Sequence, residues 1–169
     1  MNLKTKFFAS LACVLFSYTA TQAQSKVAHI DTQQLFAEMP EVIAAQKELE
    51  KLEKTYTTDI ENSLKEFQAK AQSYAADVEN QTEITNQARQ KELESLQQNI
   101  QGFRETAAQD LQKKQVEMMR PLYDKARQAI EKVAAALGFD YVLDASQGGG
   151  VLVANGKNIM PEVKKELGF

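Results

Sequence analysis

The chain has no tryptophan, one cysteine, one histidine and three prolines in 169 residues. The cysteine, Cys13, lies inside the apolar run "FFASLACVLFSYTA", which follows Lys4 and Lys6 and leads into Thr21-Gln22-Ala23. A basic start, an apolar middle and a small-residue end are the order of a secretory signal peptide, here residues 1–23 with cleavage before Gln24. Its apolar run is shorter than the ~20 residues a membrane-spanning helix needs. Ser10 stands where a lipoprotein signal wants an aliphatic residue, so Cys13 is not expected to carry lipid. The exported chain then holds no cysteine, which excludes disulfides, thiol chemistry and cysteine-ligated metal. Its stability must come from packing.

A basic excess is missing too. Twenty Lys+Arg stand against 23 Asp+Glu, a net charge of −3, and removing Lys4 and Lys6 makes the exported chain more acidic still. Nucleic-acid binders normally carry the opposite sign, so no nucleic-acid partner is expected. His29 has no cysteine to share a metal with, and a lone strand histidine reads as a packing or sheet-surface residue. The stretch "GGGVLVANGK" fails as a phosphate-binding loop: Val151 stands where the first glycine belongs, and Asn158 replaces the magnesium-binding Ser or Thr. A strand also follows its glycines, where a helix N-terminus would be needed to hold phosphate. Glu92 and Glu94 alternate with basic residues as a solvated helix face does. No catalytic residue, cofactor or metal is expected, and the chain does not read as an enzyme.

What the chain has is helix. Between Pro40 and Pro121 there is no proline and one glycine, Gly102. A stretch so poor in breakers and rich in Ala, Glu, Gln, Lys and Leu has the composition of long helix. Apolar residues recur by threes and fours from Val42 through Leu49, Tyr56, Leu64 and Tyr74 to Val78, and again from Leu93 through Ile100 and Leu111 to Met118. Between the two series lies "DVENQTEITN", residues 77–86. If the chain reverses there, Phe67 faces Leu96, Ile60 faces Phe103, Tyr56 faces Ala107, Leu52 faces Leu111 and Ala45 faces Met118, apolar against apolar in every case. The centre falls between Gln81 and Thr82, where Asn80, Thr82 and Thr85 offer turn and capping chemistry. Residues 41–120 are therefore expected to form an antiparallel helical hairpin with its tip near 81–82.

Residues 24–40 and 121–169 are expected to form a small β-containing body. "VAHID" reads as a strand and "TQQLFAEMP" as a short helical connection. A helical face continues past Pro121, where a kink would aim the arm, and stops at Gly138. "FDYVLD" and "VLVA" read as two further strands joined by "ASQGGG", with Phe139, Tyr141 and Leu143 on one face. Pro161 opens a terminal helix. The body comes to roughly 66 residues, near the size at which one core barely supports itself. Self-association through Val27, Ile30, Tyr141, Leu143, Val151 and Val153 is the expected remedy. Apolar arm residues Tyr56, Phe67, Tyr74, Phe103, Met118 and Met119 can hold the hairpin together or meet another chain, and flexible methionines beside aromatics suit adaptable contact.

The order "VAHIDTQQLFAEMPE", a breaker-free hairpin, "LQKKQVEMMRPLYDKARQAIEKVAAALGFDYVLDAS" and "NIMPEVKKELGF" resembles the Skp/OmpH family of periplasmic chaperones over essentially the whole exported chain. The fold class is mainly α with a small β body. The resemblance implies a homotrimer whose strands close a small barrel and whose hairpins enclose a cavity. That cavity holds unfolded outer membrane proteins without ATP, in the periplasm. The tip departs from the basic tips of the best-known members: Asp77, Glu79, Glu83, Glu92 and Glu94 stand against Arg89 and Lys91. Direct attraction to anionic lipid is accordingly not expected. Asn158 and Met160 also stand where the family often has Asp and Thr, which leaves any capping role there open. A coiled-coil scaffold or adaptor is the competing reading, but efflux-type adaptors need lipoyl and barrel domains with many more strands.

Overall fold

The computed structural model describes residues 25–169, so the expected signal peptide and its cleavage point lie outside the described residues. The first strand, β1, is Val27–Ile30, with Ala28 and Ile30 turned inward. Asp31 then caps a short helix, α1 (Thr32–Glu38), accepting from the Gln34 backbone N–H at 2.8 Å. Met39 is extended, as a residue before proline prefers, and Pro40 supplies the first turn of α2 (Pro40–Ala76). A single 3-10 turn, Val78–Asn80, and extended Gln81 reverse the chain. Thr82 caps α3 (Glu83–Leu137), its hydroxyl accepting from the Thr85 N–H at 3.2 Å, and the Asn86 amide ties back to the Val78 carbonyl at 3.0 Å. The two long helices form the antiparallel arm that the apolar series predicts, about 55 Å along α2 at 1.5 Å per residue.

Helix α3 passes through Pro121 without a break. Proline has no N–H for the Glu117 carbonyl, yet the segment beyond it is held by burial of Ala126, Ala129 and Val133. The helix stops at Gly138, whose φ of 71° is left-handed, with Phe139 N–H reaching Ala134 and Gly138 N–H reaching Ala135. This is a Schellman ending, which satisfies the last carbonyls. There follow β2 (Tyr141–Asp144), β3 (Lys157–Asn158) and α4 (Met160–Leu167).

The sheet order is β2-β1-β3, with both neighbours parallel to β1. Parallel neighbours need a crossover, and the one between β1 and β2 contains the whole arm. The expected strand at Val151–Ala154 does not form: that segment is irregular, and the third strand is Lys157–Asn158 on the other edge of β1. Nor does "ASQGGG" close a hairpin. Its start is anchored by the Asp144 carboxylate, which accepts from the Thr32 hydroxyl at 2.7 Å, the Thr32 N–H at 3.2 Å and the Ser146 N–H at 3.0 Å. Partial burial alone would raise this carboxyl's pKa, but those three bonds outweigh it and hold the value below the usual range. Gly148 and Gly150 then carry the chain off the sheet with positive φ.

One inward face of this sheet, together with α1, the base of α2, the end of α3 and α4, encloses the core. Leu35, Ile159 and Val163 are fully buried there, and Ile30 and Val42 nearly so. Among the described residues no helix is long and apolar enough to cross a membrane.

Gly149 lies at a close approach that tests this loop. A Cβ there would sit 2.4 Å from the Asp144 carbonyl oxygen and 3.1 Å from that of Ser146. Backbone atoms cannot swing away as a side chain tip does, so Gly149→Ala should destabilise the body by about 1–3 kcal/mol. Urea unfolding would read this as a lower midpoint, and an unchanged midpoint would mean the loop relaxes freely.

Candidate functional site

Two surfaces carry apolar groups that the fold does not cover. The first is the outer face of the sheet. In the register Val27 opposite Tyr141 and His29 opposite Leu143, these four side chains share the face turned away from the core. Val27, Tyr141 and Leu143 are each between 44% and 60% exposed. Leu152 and Val153, in a segment bonded to no strand, are 98% and 73% exposed. The outer edge of β2 has no neighbour among the described residues. Of the residues expected to mediate assembly, Val27, Tyr141, Leu143 and Val153 are open and Val151 is half-buried. Ile30 is not available: strand alternation places it with Ala28 inside the chain's own core, 1% exposed.

The second surface is the arm. Its seam is thin. Of the α2 residues only Val42 and Ala45, at the base, are fully buried, and along the arm α3 adds Ile100 and Ala107. Polar bonds also cross the pair. The Tyr56 hydroxyl donates to Asp110 at 2.7 Å, and its ring meets Phe103 edge-on at 5.9 Å. Nearer the tip, Glu92 accepts from Lys70 at 2.5 Å and from the Tyr74 hydroxyl at 2.6 Å. Arg89 bonds Asp77 at 3.2 Å and lies 4.7 Å over the Tyr74 ring. At the base Lys125 reaches Glu41 at 2.6 Å.

These contacts shift ionisation in consistent directions. The Lys70 ammonium, then the Tyr74 hydroxyl, hold Glu92 below the usual carboxylate range. Arg89, then Asn80, do the same for Asp77. The acceptors Asp110 and Glu92 push the Tyr56 and Tyr74 phenols up, so both rings stay neutral donors. Hydrogen bonding to Glu92 raises Lys70. All these groups face solvent, so the bonds orient the helices more than they stabilise them.

The six arm residues expected to meet a client fall into different places. Tyr56, Phe67 and Tyr74 are half-buried in the seam, the two tyrosines with their hydroxyls engaged. Phe103, 36% exposed, is the most open of the six. Met118 is half-buried against the core, and Met119, 8% exposed, is inside it, so Met119 meets a client only if the body opens. The most open apolar residues of the arm are Ile84 at 81%, Val116 at 56% and Ile43 at 38%, all off the stripe, and Val78 at 47%, where the stripe ends at the turn. The signal of the first three was their phase, since an apolar residue that breaks a helical seam period must point outward. An open groove of ≈ 830 Å³ runs along the lower arm, with Leu49, Leu52 and Met118 in its wall and Lys47, Lys51 and Lys114 beside them. Among the described residues no group of three or more His, Cys, Asp or Glu is placed to hold a metal ion.

Comparison with known proteins fits this geometry. The family described as outer membrane protein (OmpH-like) matches residues 26–167. A protein named chaperone protein Skp from Pectobacterium atrosepticum is 24% identical over 159 residues, covering 94% of this chain and 95% of the relative. The Skp of Yersinia enterocolitica is 27% identical over 165 residues with the same coverage. A crystal structure from Caulobacter crescentus, described as an OmpH-like outer membrane chaperone, superposes with a TM-score of 0.77 at 14% identity, covering 88% of this chain and 87% of that one. At that identity the likeness speaks for the fold alone.

Proposed function

We propose, because the chain belongs to the OmpH-like outer membrane protein family, that it is an ATP-independent holdase of the periplasm that keeps unfolded outer membrane β-barrel proteins from aggregating. It acts by binding and catalyses no reaction. The observation that carries the reading is the arm: a helical pair with a thin seam, open apolar side chains along its length and polar cross-links between its two helices. Unfolded barrel chains share alternating apolar residues rather than one motif. Many weak apolar contacts on a long surface suit such clients better than a single pocket.

Assembly belongs to the same proposal. The uncovered sheet face, the free β2 edge and the unpaired Val151–Ala154 segment suit a homotrimer in which copies complete one another's sheet into a small barrel. Three arms then project from one body and enclose the client. Val27, Tyr141, Leu143 and Val153 are the assembly residues in this arrangement. The acidic tip makes a protein client, not an anionic membrane, the arm's partner.

The test is aggregation of a urea-diluted outer membrane barrel protein, followed by light scattering without nucleotide. Purified protein in stoichiometric excess is expected to suppress it, and added ATP to change nothing. Failure to delay aggregation, together with tight binding to a folded envelope protein, would replace the holdase by a scaffold.

A further inference from the structure

The only histidine of the chain sits on the one sheet face that the monomer leaves uncovered. His29 is half-buried, flanked on β1 by Val27 and opposite Leu143 of β2, with Asn158 of β3 on its other side. A Cβ built on Gly156 would lie 3.9 Å from its Nδ1, so the returning loop also closes on the ring. Its surroundings hold few charges, and those are already engaged. Asp31 caps α1, and Asp140 accepts from the Lys26 backbone N–H at 2.8 Å. Asp144 is turned inward to Thr32 and Ser146, and Lys157 pairs with Glu162 at 2.5 Å. Tyr141, on the same face, can donate or accept a hydrogen bond. The register neighbours of His29 on this face, Val27, Tyr141 and Leu143, bring no carboxylate to balance a charged imidazole.

We infer that His29 makes assembly of this protein pH-sensitive, the oligomer being held at neutral pH and released on mild acidification. The inference rests on the assembly proposed above. Rotational symmetry brings the same residue of every copy to equivalent places about one axis, so three imidazoles enter one apolar space together. Neutral rings can be covered by Val27, Tyr141 and Leu143 of the neighbours. Protonated rings would have to be desolvated without a partner and would repel one another. Histidine is the side chain that ordinarily changes charge between pH 5 and 8. The sign follows from burial: a charged ring costs more inside the assembly than in the separated chain, where it is only half-buried, so falling pH favours separation.

Sedimentation velocity of the purified protein at pH 7.5 and 5.5 tests this, with His29→Gln and His29→Leu beside the wild type. The wild type is expected to be assembled at pH 7.5 and to associate at least about tenfold more weakly at pH 5.5. Both variants are expected to hold the same mass at both pH values. His29→Leu, apolar like its neighbours, keeps the comparison if the amide variant fails to assemble. A wild type that stays assembled at pH 5.5 overturns the inference and leaves the trimer standing, as do variants that separate in acid as far as the wild type. A wild type monomeric at pH 7.5 overturns the assembly itself, and this inference with it.

Discussion

A glutamate in place of Leu143 is expected to leave the protein monomeric and to abolish protection of clients. Leu143 is 46% exposed and faces away from the core, so it does little for the monomer's own packing. In the proposed assembly it lies in the centre of the shared face, beside His29 across the register. A glutamate carboxylate buried there could pair only by charging the His29 ring, and desolvating such a pair still costs several kcal/mol, and symmetry repeats the cost in every copy. A loss of roughly 3 to 5 kcal/mol in association is a factor of about 10² to 10⁴, enough to disperse a complex at micromolar concentration. The separated body, near the limit of self-support, should then unfold at lower urea while the arm keeps its helical signal. A charge at Val153 should act in the same direction. Sedimentation mass and circular dichroism decide it: assembled Leu143→Glu and Val153→Glu proteins would remove the strand face from the assembly.

The arm was legible because its signals are local. A stretch without proline, with one glycine and a steady apolar period, has few alternatives to helix, and the two series could meet only if the chain turned where both fade. Thr82 and Asn86 do there what their side chains suggest. The body was less legible because strand pairing is a tertiary choice. "VLVA" has a strand's composition, yet β1 accepts Lys157–Asn158 instead, since Asn155-Gly156 delivers the chain to that edge. Alternation marks two faces of "VAHI" without saying which one is inward, and so Ile30 was grouped with Val27 although the fold sends them to opposite sides. On the arm, periodicity picked out the residues that make the seam. The proposed client surface draws on the residues that do not, and Ile84 and Val116 were passed over for being out of phase. The carboxylates that tie Tyr56 and Tyr74 lie 54 and 18 residues away and carry no motif.

Because the open arm residues Ile43, Val78, Ile84 and Val116 stand outside the buried seam, they allow the holdase to be separated from its scaffold alternative. Alanine at Ile43, Val78, Ile84 or Val116 should leave helicity and assembly unchanged. Each substitution removes two or three carbons from a contact that is only partly buried with a client, about 0.5 kcal/mol, or roughly a twofold loss of affinity. Four such losses add where each site meets its own segment of the client, so the quadruple variant should bind an unfolded barrel protein about 30-fold more weakly. Suppression of aggregation should then vanish at concentrations where each single variant still protects. This graded response is the signature of a surface that meets many segments weakly. A fixed interface behaves otherwise: a few packed anchors carry most of its affinity, and one of the four substitutions would account for nearly all of the loss. Client affinities of the four single variants and the quadruple, measured by fluorescence anisotropy with a labelled unfolded barrel protein, distinguish the two. A single dominant position would end the distributed-contact reading, and four silent positions in the combined variant would move the client surface off the open arm residues and into the seam.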